Sequence, residues 1–404
     1  MKVAILGYGT VGSGVFEVLN KNKDIIMKKA GIELETAYVL DLRDFPGDPV
    51  EKVLTHDVND ILNDPDVKVV AEVMGGVGAA LKFTRAALEA GKSVCTSNKE
   101  LVATHGSELM KIAQEHGCRY LFEASVGGGI PLIRPIMTAL DGDDIIHMKS
   151  ILNGTTNYIL TRMSEAGAGF EEALGEAQKK GYAEADPTAD VEGHDAMRKT
   201  AILASILEGK YVSCDDVHTE GISAITVTDF KYARRLHAGV KLLSVISREN
   251  GKITAMVAPF LVREDNELYG VKGVKNASLI CGNAVGDIMF YGSGAGKLPT
   301  ASAVVADMSE AARCMAGRSD VRQVPAWTEE HANVVSYEES KNASLIRVAA
   351  ADEKEARKAF GDIREVAPSD GEFAFITPVM SEKDFKKAAA GLKIIGRIRT
   401  DFHD

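Results

Sequence analysis

Short β-branched runs alternate with amphipathic stretches through the first third of the chain. Val3–Leu6 predicts a strand, and the pattern from Val11 to Lys29 predicts a helix. Leu34–Leu40 and Val67–Val73 read as further strands. Ala79–Ala90 reads as a helix stopped by Gly91, Ser93–Thr96 as a short strand, Ser107–His116 as a helix and Cys118–Glu123 as strand again. Strands separated by helices and short loops predict an α/β fold with a parallel, doubly wound sheet.

The rhythm breaks after Gly127-Gly128-Gly129-Ile130-Pro131, which places a domain boundary near residue 130. A helix over Leu132–Leu140 and a strand over His147–Leu152 follow. Strands around 147–152, 253–262 and 277–283, with helices near 155–165, 170–180, 195–208 and 229–237, predict an α+β domain whose sheet is covered by helices on one face. A glycine-rich run from Gly292 leads into a helix, Ala301–Arg313, and the region around Trp327 reads as a polar connector. The tail then reads strand (Ala343–Ala349), helix (Glu353–Phe360), strand (Ile363–Ala367), strand (Glu372–Thr377), helix (Ser381–Leu392), strand (Lys393–Thr400). That βαββαβ order is ferredoxin-like.

Bulk properties remove whole classes of function. The 404 residues suffice for two or three domains, and 45% hydrophobic content supports a buried core. Net charge is −11 with no basic block, which argues against nucleic acid as a partner. Cys95, Cys118, Cys214, Cys281 and Cys314 are scattered without a CxxC pair, which fits reduced thiols in a cytoplasmic protein rather than disulfides or zinc. The first strand begins at Lys2, leaving no room for a signal peptide, and no apolar run approaches the roughly 20 residues of a membrane span.

Gly7-Tyr8-Gly9-Thr10-Val11-Gly12 matches GxGxxG between a predicted strand and a predicted helix, the context that makes this motif a dinucleotide site. Gly7 permits the tight turn, Gly9 lets a pyrophosphate approach the backbone, and Gly12 lets helix and strand pack closely. Asp41, at the end of the next strand, suits a ribose hydroxyl and repels a 2′-phosphate, whereas Arg43 suits that phosphate. NAD is favoured, with NADP open. Ser97-Asn98-Lys99-Glu100 follows a strand end, where ligands bind in this architecture; a surface lysine is the plainer reading. In Asn153-Gly154-Thr155-Thr156-Asn157-Tyr158, Thr155 or Thr156 is a good N-cap, and the turn either holds a small carboxylate or merely starts a helix.

The densest chemistry lies at 181–199, where Glu184, Asp186, Asp190, Glu192 and Asp195 precede Lys199. Asp195 and Lys199 stand at i and i+4 on one helix face, and Ile202 and Ile206 continue that stripe into a core. A helix salt bridge or a divalent-metal loop are the plainer readings, but Pro187 interrupts the loop and no EF-hand pattern is present. A carboxylate cluster beside a nearly buried amine suits a cationic substrate and a proton transfer. His194, His218 and His237 form no ligand-spaced set.

These motifs, in order over residues 1–318, resemble homoserine dehydrogenases: the glycine turn, Thr96–Lys99, Phe122–Pro131, Leu152–Tyr158, Gly181–Lys199 and Gly294-Ala295-Gly296. The tail resembles an ACT regulatory module, and no aspartokinase region is present. The resemblance implies NAD(P)-dependent interconversion of L-homoserine and L-aspartate 4-semialdehyde, a step toward threonine, methionine and isoleucine. It implies proton transfer by Lys199 and Lys99, and substrate binding by Glu184, Asp195, Tyr182, Gly154 and Thr155. Cofactor contacts fall on Gly7, Gly9, Thr10, Val11, Gly12, Asp41, Arg43, Gly75, Ser97, Lys99 and Gly296. Glu123, with the carbonyls of Val126, Gly128 and Ile130, matches the family's monovalent cation site, with sodium first. The implied division is 1–130 completed by 297–318 for the dinucleotide, 131–296 for catalysis and dimerisation, 319–341 as connector and 342–404 as ACT-like domain. Threonine feedback and a homodimer or homotetramer follow by analogy.

Two rivals stand beside this reading. An aspartate-semialdehyde-type dehydrogenase needs a cysteine nucleophile beside a histidine base, and no sequence pairing offers one. A non-catalytic NAD-sensing regulator leaves Lys199 and its acids without a task.

Overall fold

The computed structural model describes residues 1–317, 325–369 and 371–402. Residue 318 of the expected return segment, the first part of the 319–341 connector and the last two residues of the tail lie outside these. The chain divides into two compact units. One comprises Met1–Gly142, Ala201–Ser213 and Gly292–Ala332; the other comprises Asp143–Thr200, Cys214–Tyr291 and Asn333–Asp404.

The first unit is built on six parallel strands: β1 (Lys2–Leu6), β2 (Glu35–Leu40), β3 (Leu54–Thr55), β4 (Val67–Glu72), β5 (Ser93–Thr96) and β6 (Tyr120–Leu121), in the order β3-β2-β1-β4-β5-β6. Val3 to Leu6 are buried almost completely, as expected of a central strand covered on both faces. One core cluster joins Val3, Ile5, Val15, Leu19, Val39 and Val69 to Ala301, Val304 and Met308, so the helix Lys297–Met315 packs into the core of this sheet. Each of these side chains larger than alanine contributes about 1.5–3 kcal/mol on burial.

Four expectations change here. The helix from Val11 breaks at Asn22 into Thr10–Lys21 and Lys23–Ala30, at a residue with poor helix propensity. The helix expected from Ser107 begins at Lys99, because Asn98 caps it by accepting from the Leu101 N–H at 3.1 Å. The strand expected over Cys118–Glu123 shrinks to Tyr120–Leu121, and the helix expected over Leu132–Leu140 is only a wide π-type turn, Pro135–Ala139.

The second unit holds a mixed sheet. Its main strands are β7 (Ile145–Ile151), β8 (Ala238–Glu249), β9 (Lys252–Arg263), β10 (Lys275–Gly282), β11 (Gly286–Ser293), β12 (Ser344–Ala349), β13 (Arg364–Ser369), β14 (Glu372–Ile376) and β15 (Gly396–Thr400), ordered β11-β10-β7-β8-β9-β15-β12-β14-β13. The helix Gly154–Ala166 packs on β8 and β10. Strands β8 and β11 were not expected. In β8 the run from Val240 to Ser244 is buried throughout, which erases the period-two signal, and in β11 the apolar run Ile288–Tyr291 puts hydrophobic residues on both faces, so it shows no alternation either.

The tail has the expected element order, with helices Glu353–Phe360 and Glu382–Ala389 around a core of Ile346, Val348, Phe360, Phe373, Phe375 and Phe385. Its strands do not form a sheet of their own. β15 pairs in parallel with β9 at Phe260–Arg399 and Leu261–Thr400, which covers an edge that would otherwise be open. Arg399, 1% exposed, is held at this seam by Glu220 and Glu382.

Candidate active site

The first unit carries a cleft of about 690 Å³ at the C-terminal ends of β1, β2 and β4. Gly7 leaves β1 at φ +96°, a conformation that favours glycine, and a Cβ on Gly12 would lie 1.9 Å from the Gly7 carbonyl oxygen. Gly9 has open space where a side chain would be. The helix after it, beginning at Thr10 and Val11, has no side-chain cap, so its first N–H groups remain available at the turn. Gly75 and the almost fully exposed Leu42 line the same cleft. These features fit a dinucleotide: close backbone approach, an anion-binding helix end and an apolar wall. A larger hollow of about 830 Å³ lies between the first helix and β2, lined by Phe16, Leu19 and Lys21.

Asp41 ends β2 with Oδ2 accepting the Tyr8 N–H at 2.8 Å. Arg43 grips it with Nε at 2.9 Å from Oδ1 and Nη2 at 3.0 Å from Oδ2. The guanidinium, with the two backbone N–H donors, holds the Asp41 carboxyl well below the usual range despite partial burial. Glu72, at the end of β4, was not foreseen. It is fully buried, accepts from Thr96 Oγ1 at 2.6 Å and from the Met74 N–H at 2.8 Å, and burial pushes its pKa up to about 7. Ser97 follows β5, and Lys99 opens the helix Lys99–Glu115. A cation is disfavoured at that positive helix end, so helix stability does not explain its placement.

Glu123 is buried and accepts three backbone N–H bonds. Oε1 accepts from the N–H groups of Leu132 and Ile133 at 2.6 and 2.9 Å, and Oε2 from that of Arg134 at 2.7 Å. Its own N–H donates to Asp307 at 2.9 Å, and Arg134 pairs with that same aspartate. Burial raises the Asp307 carboxyl to about 7. Val126 and Ile130 are buried beside this carboxylate in the chain, and Gly128 lies against the Gly294–Ala295 backbone, two residues before Gly296.

The second unit assembles the amine site. β7 ends before Asn153, which caps the helix Gly154–Ala166 by accepting the Thr156 N–H at 2.8 Å; neither threonine is the cap. Asn153 Nδ2 donates to Asp190 at 2.7 Å and to Asp195 Oδ2 at 2.9 Å. Lys199 Nζ donates to Asp195 Oδ2 at 2.7 Å and to the Leu152 carbonyl at 2.8 Å. Lys199 and Asp195 are 8% and 5% exposed, so their pairing is a buried one. Asp190, without an assigned role in the sequence reading, belongs to this network; burial raises its carboxyl, partly offset by Asn153. Thr155 Oγ1 donates to the Tyr182 carbonyl at 2.7 Å, tying the helix start to the 181–184 segment. A Cβ on Gly154 would lie 2.8 Å from the Val274 carbonyl oxygen, so the turn needs glycine there. Glu184 is exposed and its carboxylate stands outside the network; Tyr182 is half-exposed against Tyr158.

One negative expectation is overturned. Cys281 does have a histidine beside it, His147, on the neighbouring strand. His147 and Asn153 are six residues apart along β7 and its exit, about 20 Å at strand spacing. Hydrogen bonding to Asp287 and burial raise the Cys281 thiol pKa. A thiol so distant and so protonated does not serve acyl transfer at the amine site.

Family models give the decisive observation. The homoserine dehydrogenase NAD-binding domain matches residues 7–123, and the homoserine dehydrogenase domain matches residues 131–308. The chain belongs to the homoserine dehydrogenase family. The homoserine dehydrogenase of Bacillus subtilis is 45% identical over 315 residues, covering 76% of this chain and 72% of its own length. The structure of a homoserine dehydrogenase from Thiobacillus denitrificans superposes with a TM-score of 0.91 at 34% identity, covering 99% of this chain and 98% of that one. A hyperthermophilic archaeal homoserine dehydrogenase mutant, solved with NADPH, has a TM-score of 0.66 at 29% identity over 80% of this chain and all of its own. This homoserine dehydrogenase family member is an NAD(P)-dependent oxidoreductase that interconverts L-homoserine and L-aspartate 4-semialdehyde. No helix among the described residues is long and apolar enough to cross a membrane.

Proposed function

We propose that Lys199 is the acid–base group of this reaction, protonating the aldehyde oxygen in reduction and receiving the hydroxyl proton in oxidation. The observation that supports it is the buried Lys199 amine, oriented by Asp195 and the Leu152 carbonyl. Bound NAD(P) supplies or accepts the hydride. A lysine is ordinarily charged at neutral pH, with a pKa of about 10.4, which makes it the correct acid for reduction. Burial and a neighbouring cation oppose that charge, while carboxylates favour it.

The remaining roles follow from the same reading. Asp195 and Glu184 neutralise the substrate ammonium, with Tyr182, Gly154 and Thr155 completing the pocket, and Lys99 is the second proton-transfer lysine. Gly7, Gly9, Thr10, Val11, Gly12, Asp41, Arg43, Gly75, Ser97, Lys99 and Gly296 hold the cofactor. Residues 1–130 with 297–318 form the dinucleotide half and 131–296 the catalytic and dimerising half, joined through 319–341 to the tail. A monovalent cation, sodium first, sits at Glu123 with the carbonyls of Val126, Gly128 and Ile130. Three N–H donors leave that carboxylate about one free lone pair, so the carbonyls carry most of the coordination. The tail, 342–404, acts as an ACT-like regulatory module with threonine as effector. Its strand order β15-β12-β14-β13, which is 4-1-3-2 in its own numbering, supports a ferredoxin-like unit. The enzyme works in the cytoplasm as a homodimer or homotetramer.

The test is homoserine oxidation by wild type and Lys199→Ala, with NAD and NADP compared and threonine present or absent. Near-normal turnover of the variant removes the Lys199 assignment, and insensitivity of activity and Tm to threonine removes the effector assignment.

A further inference from the structure

We propose that His147, Cys281 and Asp287 form a binding site for a zinc-class divalent metal ion, separate from the dehydrogenase centre. The three residues come from adjacent strands β7, β10 and β11. His147 and Cys281 are direct cross-strand partners, so their side chains leave the same face of the sheet. Asp287 arrives from the far side of the hairpin that joins β10 to β11. One ring nitrogen, the Sγ and a carboxylate oxygen all lie within 4.8 Å of one another. Around a tetrahedral zinc the ligand atoms stand about 3.3–3.8 Å apart, so side-chain rotation of roughly an ångström closes the site.

The donor set selects the ion. One thiolate, one imidazole and one carboxylate match zinc and its borderline neighbours, whereas calcium and magnesium require oxygen cages. Three protein ligands leave a fourth position for water. The Cys281 thiol is hydrogen-bonded to the Asp287 carboxylate. On binding, the S–H bond breaks, a metal–sulfur bond forms, and the proton passes to solvent; no electrons move. Lys149, the cation facing the cluster, is neutralised by Asp401 at 2.5 Å. Thiolate and carboxylate together then balance a divalent charge.

The effect of such an ion is mechanical. β11 is the edge strand, attached through β10 alone on the sheet path, and its exposed side includes Met289 and Tyr291. A metal bridging β7 and β11 would staple that edge across the intervening strand. No motif announces the site, because its ligands are 134 and 6 residues apart in sequence, from 147 to 281 and from 281 to 287.

The experiment uses the full chain, stripped by chelation and titrated with zinc against a chromophoric chelator, then with cobalt(II). We expect one zinc per chain, a Tm that rises with zinc, and a cobalt spectrum with tetrahedral ligand-field bands and a near-ultraviolet thiolate charge-transfer band. Cys281→Ser should abolish the charge-transfer band, and Cys281→Ser or His147→Ala should each weaken zinc affinity by at least about tenfold. Homoserine oxidation should persist in Cys281→Ser. No stoichiometric zinc binding, binding that survives in both variants, or a six-coordinate cobalt spectrum without sulfur charge transfer would each overturn the proposal.

Discussion

Asn153 and Lys199 donate to the same oxygen of Asp195, at 2.9 and 2.7 Å. Asn153 also caps its helix and donates to Asp190, so one amide fixes a helix start and two carboxylates of the 181–199 segment. Asn153→Ala should cost about 1 kcal/mol as a lost cap. It should cost more in catalysis, with kcat/KM falling at least about tenfold, because Asp195 loses one of the donors that orient it toward Lys199. The pH profile separates the two roles. Asn153 opposes the upward shift that burial imposes on Asp190, so its removal should raise that pKa and move the acidic limb of the profile upward. A lower Tm with an unchanged profile would leave Asn153 as a cap only.

Lys199→Met keeps the volume of the side chain and removes its proton. General acid–base groups contribute about 10²–10⁴-fold, and a loss of kcat in that range is expected with little change in cofactor KM. Wild-type homoserine oxidation should rise toward alkaline pH as the amine deprotonates, and the residual activity of Lys199→Met should lack that rise. Breaking one partner of a buried pair costs about 3–5 kcal/mol; Asp195 keeps Asn153 as donor, so the Tm loss should be smaller than that implies. A full alkaline rise in the variant would assign the proton elsewhere, with Lys99→Met the next variant to assay.

The bidentate grip of Arg43 on Asp41 makes cofactor choice a competition. A 2′-phosphate must take Arg43 from Asp41 and tolerate the carboxylate beneath it. Arg43→Ala should therefore raise KM for NADP about tenfold while leaving KM for NAD within about twofold. Asp41→Asn should lower the KM ratio of NADP to NAD. Equal effects of Arg43→Ala on both cofactors would mean that the guanidinium serves only to hold the carboxylate.

Much of this was legible in the sequence where one local rule dominates. The glycine turn is a backbone constraint, and Gly12 stands against Gly7 as its spacing requires. Asp195 and Lys199 meet because i and i+4 positions share a helix face. The misses are nonlocal. Asn153 and Asp190 come together over 37 positions, and neither residue type signals a buried hydrogen bond on its own. β8 carries no alternation because both its faces are buried, and the tail's fusion to β9 rests on two residue pairs that no pattern in β15 reveals. The His147–Cys281 neighbourhood depends on register alone.

Glu72 sets a pH dependence of stability that can be isolated. In the fold its carboxyl titrates near 7, against an ordinary value of 4.5, and burial is the largest cause. The folded state therefore binds more protons than the unfolded chain between those values. The contribution of Glu72 is fully present below pH 4.5 and is lost as pH rises to 7. The difference, 7 − 4.5 = 2.5 units, corresponds to about 3 kcal/mol at most. Glu72→Gln cannot ionise, yet its amide carbonyl can accept the Met74 N–H while its NH₂ donates to Thr96 Oγ1, preserving the buried contacts of the protonated acid. Wild type and variant should have similar Tm near pH 5. Above pH 7 the variant should be the more stable, with the gap opening between those limits. Parallel Tm curves across this range would show that Glu72 ionises in the fold at no extra cost.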